Sequence, residues 1–146
     1  MGGKTYGVAK SVNLVSVKVL NDSGSGTMAG VIAGINWVSE NASGDSVANM
    51  SLGGGFSSAV NEAVDNLVNP PVDSLGVPVF TSVSAGNEDT LACNKSPASA
   101  AEAYTVGSTT SSDERSSFSN FGSCVNIFAP GSSITSIGGT WSGTVS

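Results

Sequence analysis

Asn87 is the residue whose surroundings in the sequence best suit chemistry. It follows a run of apolar residues in the segment Ser84-Ala85-Gly86-Asn87, where the glycine leaves the backbone uncovered. A side-chain amide in a loop after a buried strand could donate a hydrogen bond to the negative oxygen that develops when a carbonyl is attacked. Gly-Asn is also ordinary turn chemistry, and the pattern alone favours that plainer interpretation.

Glycine-rich segments at three places in the chain indicate a surface for an extended peptide. Glycines leave backbone N–H and C=O groups open, so a substrate can add itself alongside them as a strand. Each segment follows a predicted strand, and ligands of parallel sheets bind beyond the carboxyl ends of the strands. The segments are Gly24-Ser25-Gly26, Gly53-Gly54-Gly55 and Ala85-Gly86-Asn87.

The first of these segments also fits a dinucleotide-binding pattern. Residues 24–29 match G-x-G-x-x-[GA] between a predicted strand and a predicted helix. That kind of site needs an acidic residue at the end of the next strand, where it binds the ribose hydroxyls. The next predicted strand ends at Leu52 without one, and the nearest acid, Asp45, precedes that strand. The nucleotide site is therefore the weaker hypothesis.

The composition excludes several classes of function. The 146 residues contain no histidine, so a Ser-His-Asp triad cannot be completed within this chain. The net charge is -6, and the five basic residues form no cluster, so we expect no nucleic-acid partner. No apolar run is long enough to span a bilayer, so we expect no membrane partner. The N-terminus lacks the apolar core of a signal peptide, so an export signal would lie outside this chain.

The elements that must position these residues are predicted from periodicity and capping. Thr27 is expected to cap a helix running to about residue 40, and Ser57 or Ser58 a second helix through about residue 67. Alternation of strands and helices is typical of an α/β fold, a parallel sheet with right-handed crossovers and helices on both faces. The predicted strands are residues 12–20, 47–52, 77–84, 104–106 and 125–128, with a long loop over residues 85–99.

Cys93 and Cys124 are the two cysteines of the chain. In a sequence rich in serine and asparagine, such a pair fits an exported protein with one disulfide. Two buried free thiols are the alternative, and composition leaves it open.

Six motifs follow one another along the chain: Ser51-Leu52-Gly53-Gly54-Gly55, Ser84-Ala85-Gly86-Asn87, Ser96-Pro97-Ala98-Ser99, Thr105-Val106-Gly107, Ser116-Ser117-Phe118-Ser119-Asn120-Phe121-Gly122 and Ile127-Phe128-Ala129-Pro130-Gly131. Their identity, order and spacing resemble the subtilisin superfamily of serine proteases, in particular the aqualysin-like members of its proteinase K branch. The likeness covers nearly the whole chain. It implies that residues 1–146 are the middle portion of a peptidase domain, with a partial subtilisin-like fold.

The resemblance implies a role for several positions. Asn87 matches the asparagine of the oxyanion hole, and Cys93 and Cys124 fall where aqualysin-like members form a disulfide. An apolar or broad specificity pocket would be lined by Leu52, Gly53, Ala85 and Gly86. Two strands that flank the substrate would be formed by Gly24, Ser25 and Gly26, and by Ser51, Leu52, Gly53 and Gly54.

The chain departs from the family at the catalytic triad. In the family, the catalytic Asp and His lie upstream of the segment that begins this chain, and the Ser lies in a motif just after the segment that ends it. We therefore expect an internal fragment, inactive alone, of a secreted serine endopeptidase that acts on peptides or proteins. The parent protein is expected to be monomeric and to carry an N-terminal propeptide. The alternative is a non-catalytic remnant that binds peptides or acts as a decoy.

A calcium site is a further expectation from the resemblance, although no cofactor is required for the activity. Proteinase K-like enzymes bind calcium with two backbone carbonyls and an aspartate, and the matching positions are Ala101, Ala103 and Asn126. A neutral amide is a poorer ligand than a carboxylate for so hard a cation. We therefore expect weak or absent binding. Because the helix that carries the nucleophile is missing, we also expect an exposed apolar sheet face and poor folding of the isolated chain.

Overall fold

The computed structural model describes residues 1–137 and 144–145. Its helices are α1 (Met28–Asn41) and α2 (Ser58–Val68), with a 3-10 turn at Ala92–Asn94. Its strands are β1 (Val47–Met50), β2 (Gly54–Gly55), β3 (Phe80–Ser84), β4 (Lys95–Ser96), β5 (Tyr104–Thr109), β6 (Ile127–Pro130), β7 (Ser136–Ile137) and β8 (Thr144–Val145). In this described part of the chain, neither helix combines the length and apolarity needed to cross a membrane.

A parallel sheet of four strands, in the order β1-β3-β5-β6, forms the centre of the fold. Met50 lies opposite Val83, and Ser84 lies opposite Val106, so the strands end at one edge of the sheet. The predicted α/β fold around a parallel sheet is confirmed. Two short antiparallel pairs, β2 with β4 and β7 with β8, were not predicted.

Both helices begin at the predicted caps. The Thr27 hydroxyl accepts a hydrogen bond from the backbone N–H of Gly30 at 3.0 Å, and α1 starts at the next residue. The Ser57 hydroxyl accepts from the backbone N–H of Val60 at 3.4 Å at the start of α2. Each hydroxyl satisfies a backbone donor that the first turn of a helix leaves without a partner.

One apolar cluster joins the helices to the sheet. Ile35 of α1, Val64 of α2 and Val83 of β3 all belong to it, and Val64 is fully buried. Side chains alternate between the two faces of a strand, so these contacts place both described helices on a single face of the sheet. The sequence predicts helices on both faces, whereas over the described residues the two α-helices lie on one face only.

The opposite face of the sheet is exposed over the described residues. Phe80 of β3 and Tyr104 of β5 are 53% and 39% exposed, and their rings lie 5.6 Å apart. Val47 and Ile127 are exposed on the same face at the neighbouring strands. The apolar face predicted from the sequence is therefore present.

Residues 12–20 form no strand of the sheet, which corrects the prediction. A cavity of about 350 Å³ lies between residues 16–20 and the end of β1, lined on that side by Ser51 and Leu52. Strands pair through backbone hydrogen bonds, and among the described residues no such bond joins residues 13–20 to β1. The alternation has another cause, because Val17 and Val19 both point towards Gly34 of α1. A Cβ at Gly34 would overlap Val19 and would lie 3.3 Å from Val17.

Candidate functional site

A groove of about 470 Å³ opens beyond the carboxyl end of β1. One wall is formed by residues 24–28, which lead into α1, and the other by residues 51–55, which follow β1. The lining includes these predicted substrate-binding residues: Gly24, Ser25, Gly26, Ser51, Leu52, Gly53 and Gly54. The fold therefore brings two of the three glycine-rich segments to face each other.

Asn21 shapes the first wall. Its side-chain oxygen accepts hydrogen bonds from the backbone N–H groups of Ser23 and Ser25, each at 3.0 Å. The chain turns at Gly24, whose φ of +75° lies in the region that favours glycine. This tight turn holds Ser25 and Gly26 at the groove immediately before the Thr27 cap.

The second wall is fixed from two sides. The Ser84 hydroxyl donates to the backbone carbonyl of Leu52 at 3.2 Å, which ties the wall to the end of β3. Gly54 of β2 pairs with Ser96 of β4 in antiparallel register. Gly54 and Gly55 are exposed, and a side chain at either would meet nothing within 4 Å. Packing does not require glycine here, so its effect is to leave this stretch of backbone uncovered by side chains.

Part of the groove was not predicted from the sequence. Ser96 and Pro97 belong to its lining, although their motif had been assigned no role at the site. The only pattern that marks them is that motif, because their position depends on pairing with Gly54, which is far away in the sequence. The apolar side chains that were also missed are Leu20, Met28, Val31 and Val60.

The third glycine-rich segment lies at the same sheet edge but does not line this groove. Ala85 is buried and its N–H donates to the carbonyl of Val106 at 2.9 Å, so it continues the sheet. Gly86 adopts a φ of +101° and turns the chain outward. Asn87 is exposed, and its side-chain amide makes no hydrogen bond with any described residue. That amide is therefore free to donate to a ligand.

Asn120 holds the loop that presents Asn87, which comprises residues 85–90 and is called the Asn87 loop below. It is fully buried, and its side-chain oxygen accepts from the backbone N–H groups of Glu88 at 3.0 Å and Thr90 at 3.1 Å. Its side-chain nitrogen donates to the carbonyl of Ala85 and to the carboxylate of Glu88, both at 2.8 Å. An amide group offers two donors and two principal acceptor positions, so the capacity of Asn120 is filled.

Glu88 lies at the centre of these contacts. Its carboxylate accepts from the backbone N–H of Asn87 at 2.9 Å and forms an ion pair with Lys95 at 3.1 Å. Partial burial by itself would raise the pKa of Glu88. The hydrogen bond from Asn120, the contacts with Lys95 and the hydrogen bond from Asn87 outweigh burial, so the pKa lies below its ordinary value.

This lowered pKa predicts a dependence of stability on pH. A carboxylate whose pKa is depressed by folding stabilises the native state above its ordinary pKa, and the contribution is lost as the pH falls through the depressed value. We expect the full-length protein to melt at a higher temperature than its Glu88→Gln variant near neutral pH. The difference should shrink in acid. Melting curves of both proteins between neutral and acidic pH measure it, and a difference independent of pH would contradict the assignment.

Arg115 fixes the far end of the same loop. Its guanidinium pairs with Asp89 at 2.8 Å and also donates to the carbonyl of Ser119. It lies over the ring of Phe121, 4.9 Å from the centroid, which adds a cation–π contact. Asp89 has a φ of +49°, a conformation that these contacts help to hold.

Cys93 and Cys124 form a disulfide, which confirms the pairing implied by the family resemblance. Their Cα atoms lie 5.3 Å apart, and Cys124 packs against a small cluster formed by Ala85, Ala92 and Ala98. The bridge therefore stabilises the region from which the Asn87 loop emerges.

Removal of this disulfide should be costly. The cysteines are 31 positions apart, and closing a loop of that size is worth about 3 to 4 kcal/mol in the chain-entropy model. We expect the Cys93→Ala, Cys124→Ala double variant of the full-length protein to lose about that much free energy of unfolding, measured by denaturant titration. A reductant should lower the stability of the parent and leave the double variant unchanged. Equal free energies of unfolding for the disulfide-bonded parent and the double variant would count against the prediction.

The three candidate calcium ligands include no carboxylate. Ala101 and Ala103 could offer only backbone carbonyls, and the side-chain oxygen of Asn126 already accepts the backbone N–H of Thr105 at 2.7 Å. Carboxylates supply most of the charge that neutralises calcium in proteins, so weak or absent binding at these positions stays a prediction. The described residues also contain no cluster of three or more acidic, histidine or cysteine side chains that could hold a metal.

Comparisons with known proteins give a consistent result. The model of the Subtilase family matches residues 1–146. The chain is 59% identical to alkaline serine exoprotease A of Vibrio alginolyticus over 93% of its length, and 53% identical to an extracellular serine proteinase of Thermus sp. (strain Rt41A) over 93%. It is similar to the crystal structure of a cold adapted subtilisin-like serine proteinase, with a TM-score of 0.86 and 58% identity over 92% of this chain. The chain spans 24% and 32% of the two relatives and 47% of the solved structure.

Proposed function

We propose that the full-length protein is a serine endopeptidase, since this chain belongs to the subtilase family. Residues 1–146 would supply its substrate groove and its oxyanion-hole asparagine. The observation that carries this proposal is the groove of about 470 Å³ between two glycine-rich backbone segments, at the sheet edge from which Asn87 projects. Family membership also replaces the dinucleotide hypothesis.

The walls suit an extended peptide. The backbone groups of Gly26 on one wall and of Gly53 on the other make no hydrogen bond with the described residues, so a substrate strand could pair with both walls. Pairing of this kind recognises the peptide backbone whatever its side chains. The apolar lining from Leu20, Val31, Leu52 and Val60 favours substrates with apolar side chains, consistent with an apolar or broad preference.

The Asn87 amide would act on the carbonyl that is cleaved. When a nucleophile adds to this carbonyl, its oxygen becomes negative, and a donor fixed in advance stabilises that charge without having to reorganise. Asn87 is exposed and its amide has no partner among the described residues, which leaves both N–H groups available. The attacking serine and its histidine base would come from segments of the full-length protein outside residues 1–146.

The compartment and the partners of the full-length protein are part of the same proposal. Relatives are named extracellular and exoprotease, and a disulfide persists in oxidising compartments, so we infer that the protein is secreted. Its partners would be peptides or proteins. The monomeric state and the N-terminal propeptide rest on the family resemblance alone.

The test is an assay of the full-length protein with a chromogenic peptide that carries an apolar residue before the cleaved bond. We expect turnover that a serine-directed phosphonylating reagent abolishes, and no turnover by residues 1–146 alone. Turnover insensitive to the reagent would overturn the serine mechanism. Tight binding of the peptide without turnover by the full-length protein would instead establish the non-catalytic, peptide-binding alternative.

A further inference from the structure

We propose that Asn120 is a positioning residue that sets the orientation of Asn87. The inference rests on the proposed function, since it assigns Asn120 a role only in that reaction. It also accounts for a fully buried amide whose hydrogen bonds all converge on one short loop.

The contacts of Asn120 enclose Asn87 on both sides. Before it, the side chain of Asn120 donates to the carbonyl of Ala85 at 2.8 Å, and its backbone N–H donates to the carbonyl of Gly86 at 3.0 Å. After it, the side-chain oxygen accepts from the N–H groups of Glu88 and Thr90. The Asn87 side chain is exposed and makes no hydrogen bond with the described residues, so its position depends on the backbone that Asn120 holds.

The carboxylate of Glu88 adds to these hydrogen bonds. Together, the contacts of Asn120 and Glu88 with the backbone around Asn87 are called the clamp below. One of its oxygens accepts from Asn120 at 2.8 Å and from the backbone N–H of Asn87 at 2.9 Å. A chain of hydrogen bonds therefore runs from the buried amide, through Glu88, to the backbone of Asn87. A misplacement of about 1 Å at a catalytic group can cost about 10²-fold in rate, so small shifts of this loop should be visible in kcat.

An Asn120→Asp substitution separates the two halves of this clamp. Aspartate keeps the oxygen that accepts from Glu88 and Thr90, but it cannot donate to the carbonyl of Ala85 or to the carboxylate of Glu88. It also brings a second negative charge beside Glu88. The loop should keep its contacts with residue 120 after Asn87, and before Asn87 it should keep only the backbone hydrogen bond at Gly86.

The experiment is a double-mutant cycle in the full-length protein, with kcat and KM measured on the chromogenic peptide and melting temperatures measured in parallel. We expect Asn120→Asp to lower kcat by about 10-fold to 10²-fold, with KM changed less than about twofold. In the Asn87→Ala background the same substitution should change kcat less than about twofold, because the group that it misplaces is gone. A residue with a merely structural role would lower kcat equally in both backgrounds, and that result overturns the inference.

Asn69→Asp is the matched control. Asn69 also donates its side-chain amide to a glutamate, Glu102, at 2.7 Å, but it lies at the end of α2, away from the Asn87 loop. We expect unchanged kcat and KM for this variant. An equal loss of kcat in Asn69→Asp and Asn120→Asp would show a general effect of added charge and overturn the inference.

A second variant covers the case in which Asn120→Asp folds poorly. With Glu88→Gln added, the glutamine amide can donate to the carboxylate introduced by Asn120→Asp, which removes the repulsion and restores one hydrogen bond in the reverse direction. We expect kcat to recover towards that of Glu88→Gln alone. Recovery of the melting temperature without recovery of kcat would contradict the role of the clamp. Failure of the unmutated full-length protein to cleave the peptide would refute the proposed function itself, before any variant is compared.

Discussion

Replacing Asn87 with alanine in the full-length protein is expected to lower kcat by about 10² to 10³-fold, the loss typical of one oxyanion-hole donor. KM should change little, because the amide acts on a charge that exists only in the transition state. The melting temperature should also change little, because Asn87 is exposed and its side chain has no partner among the described residues. Steady-state kinetics on the chromogenic peptide measure the effect.

Asn66→Ala is the control for this substitution. Asn66 is an exposed asparagine of α2, an element that contributes only Val60 to the groove. It should leave kcat and KM unaltered. The competing interpretation treats Asn87 as an ordinary turn residue, and it predicts a lower melting temperature with kcat unchanged. That combination would remove Asn87 from the reaction.

Gly86→Ala should be among the most damaging single changes in the chain. The φ of Gly86 is +101°, a conformation that costs a residue with a Cβ about 1 to 2 kcal/mol. The added Cβ would also overlap the side-chain nitrogen of Asn120 and lie 2.6 Å from the carboxylate of Glu88. Overpacking of that kind adds about 1 to 3 kcal/mol. We expect a loss of about 2 to 5 kcal/mol in the free energy of unfolding, together with a fall in kcat.

Gly44→Ala separates the two causes. Gly44 also has a positive φ, +61°, but a side chain there would meet nothing within 4 Å. The Gly44→Ala variant should therefore lose only the free energy of unfolding that the positive φ costs, about 1 to 2 kcal/mol. Its kcat should not change. Denaturant titration and kinetics of both variants give the comparison. Equal losses for Gly44→Ala and Gly86→Ala would show that the packing of Asn120 against Gly86 has no energetic weight.

Local signals predicted the elements that local physics determines. The hydroxyls of Thr27 and Ser57 cap the helices as expected, because a cap is a contact between residues three positions apart. The strand patterns located the cores of β1 and β3, although both strands are shorter than predicted. Residues 12–20 show the limit of such reasoning. Alternation reports which side chains are buried, whereas a strand also needs a partner at hydrogen-bonding distance.

The candidate site likewise contains parts that local sequence patterns predict and parts that depend on contacts between distant residues. The glycine-rich walls could be found from the sequence because open backbone has a compositional signature. Asn120 could not, since its contacts with Ala85 and Glu88 span 35 and 32 positions and nothing in its motif indicates them. The pairing of Gly54 with Ser96, which adds Ser96 to the groove, is equally non-local. Contacts of this kind follow from the assembled sheet and leave no local pattern.

The two walls of the groove are joined through the hydrophobic core. One wall leads directly into α1 and the other leaves β1, and both elements share the cluster that contains Ile35 and Met50. Val31 belongs to that cluster and also lines the groove. Since packed interiors transmit small displacements, the width of the groove is governed by the packing beneath it. Selection for a different substrate and selection for a different working temperature would therefore act on the same few side chains, and neither property could change without constraining the other.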